Sequence, residues 1–129
     1  MIRTYGEDSR RVTRAIQIFV ALVGQAPHGV ITYNELGNNR MRYGQGILDK
    51  PLGYVMAWCF LNGLPPLTAL VVNSETGEPG YKFMLREEPW PHAVMRVKRY
   101  PWATLCIPTE SELIDMHEEF KRRYPDVEP

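Results

Sequence analysis

Between Lys50 and Asn73 the chain reads KPLGYVMAWCFLNGLPPLTALVVN, and no other stretch limits the fold as tightly. Leu52, Val55, Met56, Cys59 and Phe60 recur at helical spacing and make one apolar face. Pro51 suits a first helical position, where its missing N–H costs nothing. Asn62-Gly63 is a helix stop, with Gly63 able to take the left-handed conformation. Pro65-Pro66 bars continuation. Thr68 to Val72 then reads as a short strand, too apolar for an open edge. Tyr54, Ala57, Trp58 and Leu61 lie off the helix's named face. Buried on both sides, this is a central core helix; open on one, Tyr54 and Trp58 form an exposed aromatic surface.

Upstream, Ile2 to Tyr5 is a short possible strand, and Asp8 or Ser9 can cap a first helix running to about Gly24. Val12, Ala15, Ile16, Phe19, Val20 and Val23 form its expected inner stripe. Arg10, Arg11 and Arg14 fall on its first turns, where a helix dipole disfavours cations. They are either a solvated face or a phosphate-contacting patch. After a turn at Gln25 to Gly29, Thr32 and Glu35 have the spacing of a capping box, so a short helix is expected from Tyr33 with Leu36 facing inward. The loop from Gly37 to Gly46 carries Asn39, Arg40, Arg42, Tyr43 and Gln45 among glycines. Arginine, amide and aromatic side chains on flexible backbone suit phosphates and base faces. A short helix, a polar turn and a longer helix make a helix-turn-helix candidate.

Downstream, Asn73 to Gly80 is dense in turn residues, and Tyr81 to Leu85 alternates as a returning strand. With Thr68 to Val72 this predicts an antiparallel β-hairpin, the wing of a winged helix. Glu75 and Glu78 on that wing oppose a phosphate contact. His92 to Tyr100 reads as a short helix, or as a strand through Ala93 to Val97. Arg96, Lys98 and Arg99 form a second basic patch beside Tyr100 and Trp102, a pattern that can bind single strands by stacking or can be a core edge with solvated charges. Thr104 to Ile107 reads as a short strand. Thr109 and Glu112 make a second capping box, opening a final helix to about Tyr124 with Leu113, Met116, His117, Phe120 and Tyr124 inward. Lys121, Arg122 and Arg123 sit at its C-terminal end, where the dipole favours them.

The 129 residues suit one domain, 1–129, and 44% apolar with 23% charged residues is globular composition. Fifteen basic residues balance fifteen acidic ones, so net charge does not single out a polyanion partner. Cys59 and Cys106 are expected to be buried reduced thiols, in keeping with a cytoplasmic protein. No apolar run approaches the ~20 residues of a membrane span, so no membrane partner is expected. The sequence contains no phosphate-binding loop, nucleophile elbow or dinucleotide fingerprint. His28, His92 and His117 lack metal-ligand spacing with either cysteine, so no cofactor or metal is expected. Glu35, Glu75, Glu87 and Glu88 could pair as acids, and Glu75 and Glu78 with Lys82 on the hairpin are the nearest match to a hydrolytic nuclease site, against the plainer reading of a charged hairpin tip.

The run Gly29-Val-Ile-Thr-Tyr-Asn-Glu-Leu36 resembles the start of the winged-helix DNA-binding domain of alkylguanine DNA alkyltransferases and alkyltransferase-like proteins. Leu52-Gly53 and Asn62-Gly-Leu-Pro-Pro-Leu67 resemble its continuation. The resemblance spans about residues 27–73 and implies a helix-turn-helix. It departs from the family where the reactive cysteine segment falls: Leu67 to Val72 holds neither cysteine nor histidine, which excludes alkyl transfer. Lys50 stands where the family's base-stack arginine falls. The segment PLTALVVNSETGEPG also resembles small uncharacterised bacterial and mobile-element proteins.

The sequence therefore predicts an α+β, winged-helix-like domain: a helical core, a small antiparallel β-hairpin and a C-terminal helix at about 110–124. The leading expectation is a non-enzymatic module that binds duplex DNA through Arg10, Arg14, Tyr33, Asn39, Arg40, Arg42, Tyr43, Gln45 and Lys50. The alternative is a protein-interaction module, an accessory or inhibitor protein of a bacterial or phage defence or counter-defence system, docking through Tyr54, Trp58, Trp90 and Trp102. A metal-dependent nuclease is the third.

Overall fold

The structure is a computed structural model that describes residues 5–32, 35–36, 45–73, 75–77 and 89–125, with backbone only for 5–11 and 45–50. Its class is mixed α and β, dominated by helices. In order come α1 (Tyr5–Gln25), β1 (Ile31–Thr32), α2 (Gln45–Leu61), β2 (Val71–Val72), α3 (Trp90–Arg99) and α4 (Glu110–Arg123). α2 is the centre, packed on α1 along one side and on α4 along the other. Its residues Pro51 to Cys59 are all buried, so of the two arrangements open in the sequence the helix takes the central one. A helix without a polar face is stable only when surrounded.

α2 begins at Gln45, so Pro51 lies inside the helix rather than at its first position. An interior proline forfeits one backbone hydrogen bond and costs roughly 3 kcal/mol. Complete burial of the segment it opens offsets that cost. The stop is as the sequence predicts. Gly63 has φ +67°, its N–H donates to the Phe60 carbonyl at 3.2 Å, and the Leu64 N–H donates to the Cys59 carbonyl at 2.9 Å. These paired bonds satisfy two of the carbonyls a helix end leaves open.

α1 starts earlier than its cap signals suggest: Tyr5 is already helical, not part of a strand. Ile2 to Thr4 lie outside the described residues. Glu7 and Asp8 thus fall in the first turn, where the helix dipole favours negative charge. Arg10, Arg11 and Arg14 move to the second and third turns, which removes the conflict with the dipole. The buried stripe is Val12, Ala15, Ile18, Phe19 and Leu22, continued by Ala26 just past the helix, while Val20 is 45% exposed. Nearly every residue from Ile16 to Val23 is apolar, so periodicity supports two overlapping stripes; packing against α2 selects one.

The segment after Pro66 is a 3-10 turn at Leu67–Leu70, and only Val71–Val72 is strand. β2 pairs with β1 in parallel, Ile31 opposite Val71 and Thr32 opposite Val72. The expected antiparallel partner, Tyr81 to Leu85, lies outside the described residues. Both valines are shielded from water, as a parallel pair covered by helices requires. Asn73 closes β2, its Oδ1 accepting from the Glu75 N–H at 2.8 Å while its carbonyl accepts from the Gly77 N–H at 2.8 Å.

α3 resolves the helix-or-strand ambiguity as a helix. Thr104 to Ile107 is not a strand: a 3-10 turn occupies Trp102–Thr104 and irregular chain follows. α4 opens on the predicted cap, Thr109 Oγ1 accepting from the Glu112 N–H at 3.1 Å. Leu113 and Phe120 are fully buried, with Met116, His117 and Tyr124 half-buried beside them. Cys59 is buried as expected; Cys106 is exposed, on the irregular chain after the 3-10 turn, and both are free thiols. Among the described residues no helix is long and apolar enough to cross a membrane.

Candidate nucleic-acid interface

Chain geometry leads from the end of α1 into the candidate interface through a fixed path. A 3-10 turn at Ala26–His28 ends on Gly29, whose φ of +93° reverses the chain. The Gln25 side-chain amide holds that reversal, donating to the Gly29 and Val30 carbonyls at 3.2 and 3.3 Å. β1 then delivers Thr32. Its Oγ1 accepts from the Glu35 N–H at 3.0 Å, and its own N–H donates to Glu35 Oε1 at 3.4 Å. The Thr32 hydroxyl proton also points to that carboxylate, at 3.0 Å. This is the reciprocal pattern of a capping box. A helical turn at Glu35 and Leu36 follows, with Leu36 fully buried. The second helix of the predicted pair is α2.

The sequence-predicted contact residues fall into three groups. Tyr33, Asn39, Arg40, Arg42 and Tyr43 lie outside the described residues. Arg10, Gln45 and Lys50 are placed by backbone alone: Arg10 in the second turn of α1, Gln45 and Lys50 in the first two turns of α2. Arg14 is half-buried on α1 and is already engaged by a neighbour. Gln45 and Lys50 immediately precede the buried half of α2, so their positions follow from the packing of Pro51 to Cys59.

The aromatic docking set is corrected by burial. Tyr54, Trp58 and Trp102 are 5%, 7% and 5% exposed. Phe19 meets Trp58 edge to face at 5.1 Å and Trp102 in the same manner at 6.5 Å between centroids. The Trp102 indole N–H donates to the Val97 carbonyl at 2.8 Å, and Tyr54 stacks on His117 at 4.1 Å. Trp90 is half-buried, its indole N–H given to the Ala69 carbonyl at 2.8 Å. Tyr54, Trp58 and Trp102 belong to the core, where each buries a large apolar area.

No group of three or more histidine, cysteine, aspartate or glutamate side chains capable of holding a metal occurs among the described residues. Glu35 is committed to the cap, and Glu75 sits exposed on the Asn73 turn. Comparison with known protein families, with curated proteins and with solved structures gave no match.

Cys59 has one contact that its sequence position does not announce. The Cys59 sulfur is hydrogen-bonded with the Leu67 backbone, which sets a buried thiol against the start of the segment 67–72. Burial pushes its pKa up to about 12, and that single bond offsets little of the desolvation. A thiol so protonated is a core side chain rather than a nucleophile. The residues that bring Cys59 and Leu67 together are Gly63 and Pro65-Pro66, which fold the chain back on α2. That return was legible; its consequence for the sulfur was not.

Proposed function

We propose that this chain is a non-enzymatic, winged-helix-like module that binds duplex DNA, with residues 33–50 as its main contact surface. The observation that carries the proposal is the order of a capped helical turn at Glu35–Leu36 followed by a long helix whose second half is buried on every side. In helix-turn-helix modules the N-terminal residues of the second helix reach base edges while its remainder anchors to the body. Burial of Pro51 to Cys59 removes them from contact, and Gln45 to Lys50 are the residues of α2 that precede them. In this reading Arg40, Arg42 and Lys50 are the phosphate contacts, and Tyr33, Asn39, Tyr43 and Gln45 are the candidates for base edges. Arg10 lies on α1, a second approach to the backbone. The wing corresponds to the turn after β2, whose Glu75 keeps it off the phosphates.

The test is fluorescence anisotropy of a short labelled duplex across 50–200 mM salt. Each phosphate contact contributes about −0.9 to the slope of log affinity against log salt, so Arg40, Arg42 and Lys50 alone give about −2.7. Arg40→Gln/Arg42→Gln should make the slope shallower by about 1.8. No binding at the lowest salt, or a slope near zero, overturns the proposal.

A further inference from the structure

We infer that the outer face of α3 is a second phosphate-contacting surface of the same module, with Lys98 and Arg99 as its contacts; this rests on the duplex-binding reading above. α3 carries Arg96, Lys98 and Arg99 in its last turn and no aspartate or glutamate along its length. Ala93 and Val97 turn inward, whereas His92, Met95, Lys98 and Arg99 are exposed. A helix dipole accounts for cations at a C-terminus. It does not account for a whole outer face without an acidic residue in a chain of zero net charge.

α4 shows the contrast. There Arg122 and Arg123 also end a helix, but both are bonded to Glu119 one turn back. The residues one turn back from Lys98 are Val94 and Met95, and from Arg99 they are Met95 and Arg96. The helix therefore supplies neither cation with an internal counter-charge. A polyanion is the complement of such a face.

Two features select a duplex backbone over unstacked bases. Trp102 is buried and Tyr100 is half-buried against it, ring centroids 4.6 Å apart, so the rings beside the patch belong to the core. Neither ring offers an open stacking platform beside Lys98 and Arg99. Position is the second. α3 packs against the turn Ala26–His28. His28 is four residues from the Thr32 cap, a reach of at most about 14 Å of chain. One turn of duplex spans about 34 Å, more than twice that reach, so chain length does not keep α3 and the Thr32 cap from lying along one duplex.

The experiment repeats the salt titration on Lys98→Gln/Arg99→Gln. Both side chains are exposed, so the variant keeps its helical circular dichroism and melting temperature. The expected slope is shallower than wild type by about 1.8, which makes the affinity loss between 50 and 200 mM salt about tenfold smaller. Lys121→Gln/Arg122→Gln removes the same formal charge from α4 and should leave the slope within about 0.5 of wild type. Wild-type binding with an unchanged slope in the α3 variant overturns this inference and leaves the duplex-binding reading standing. Equal losses in both double variants also overturn it, because net charge alone then explains the effect. Absence of wild-type binding overturns the parent reading. Stronger binding to single strands than to duplex would replace the backbone contact with base stacking.

Discussion

Phe19 of α1 and Trp58 of α2 meet edge to face, with ring centroids 5.1 Å apart and planes at 87°. The same phenyl ring takes Trp102 at 6.5 Å, also at 87°. One residue thus ties the first helix to the central helix and to the chain after α3. Such geometry sets the positive edge of one ring against the negative face of another, contributing about 0.5–1.5 kcal/mol per pair beyond area burial.

Trp58→Ala should therefore act on folding. Truncating a buried aromatic side chain costs about 3–5 kcal/mol, a large share of the roughly 5–15 kcal/mol that holds a domain together. Urea denaturation should show the midpoint falling steeply, with Trp58→Phe in between. A Trp58→Ala protein with an unchanged midpoint would mean the indole faces solvent and would return it to the docking set.

The Thr32–Glu35 box makes a graded prediction. Thr32→Ala removes the cap acceptor and should cost about 1 kcal/mol. Glu35→Gln preserves the box, since an amide oxygen also accepts from the Thr32 N–H, and should keep both stability and duplex affinity. Divalent-metal-dependent cleavage of DNA by the wild type, lost in Glu35→Gln, would instead show that this carboxylate does chemistry.

Acid should loosen the end of α4 before the rest of the fold. Hydrogen bonds from Arg122 and Arg123 hold the Glu119 carboxyl below its ordinary value of 4.5. A group with a depressed folded pKa stabilises the fold fully above its unfolded value and loses that contribution as pH falls through the folded one. The loss thus begins near 4.5 and continues to lower pH. Amide protection factors in the last turn of α4 should fall over that window in wild type and stay flat in Glu119→Gln. Added salt should shrink the difference, because the pair is exposed.

The two thiols should separate cleanly by reactivity. At pH 8 an alkylating reagent should modify Cys106, which is exposed, and spare Cys59, which is buried and pushed up to about 12. Mass spectrometry should find one label on the native protein and two after denaturation. In Cys106→Ser the native protein should take none. Rapid native labelling of Cys59 would show that the wall between α2 and the 67–72 segment opens.

What the sequence determined by itself is the set of features whose causes lie within a few residues of one another. The Thr32–Glu35 and Thr109–Glu112 boxes, the Gly63 stop, the Asn73 turn and the inward face of α4 are of this kind, because each is a hydrogen bond or an apolar contact within about one helical turn. The tertiary structure decided whatever needed a distant partner. Val71 is half of a parallel pair only because Ile31 is beside it; Thr68 to Leu70 close into a 3-10 turn under α3 rather than extend. Ile18 rather than Val20 faces inward because α2 lies on that side. Tyr54, Trp58 and Trp102 look like docking anchors in one dimension, since a large ring suits a core and an interface equally. Only the packing of α1, α2, α3 and α4 around them shows which use the ring is put to.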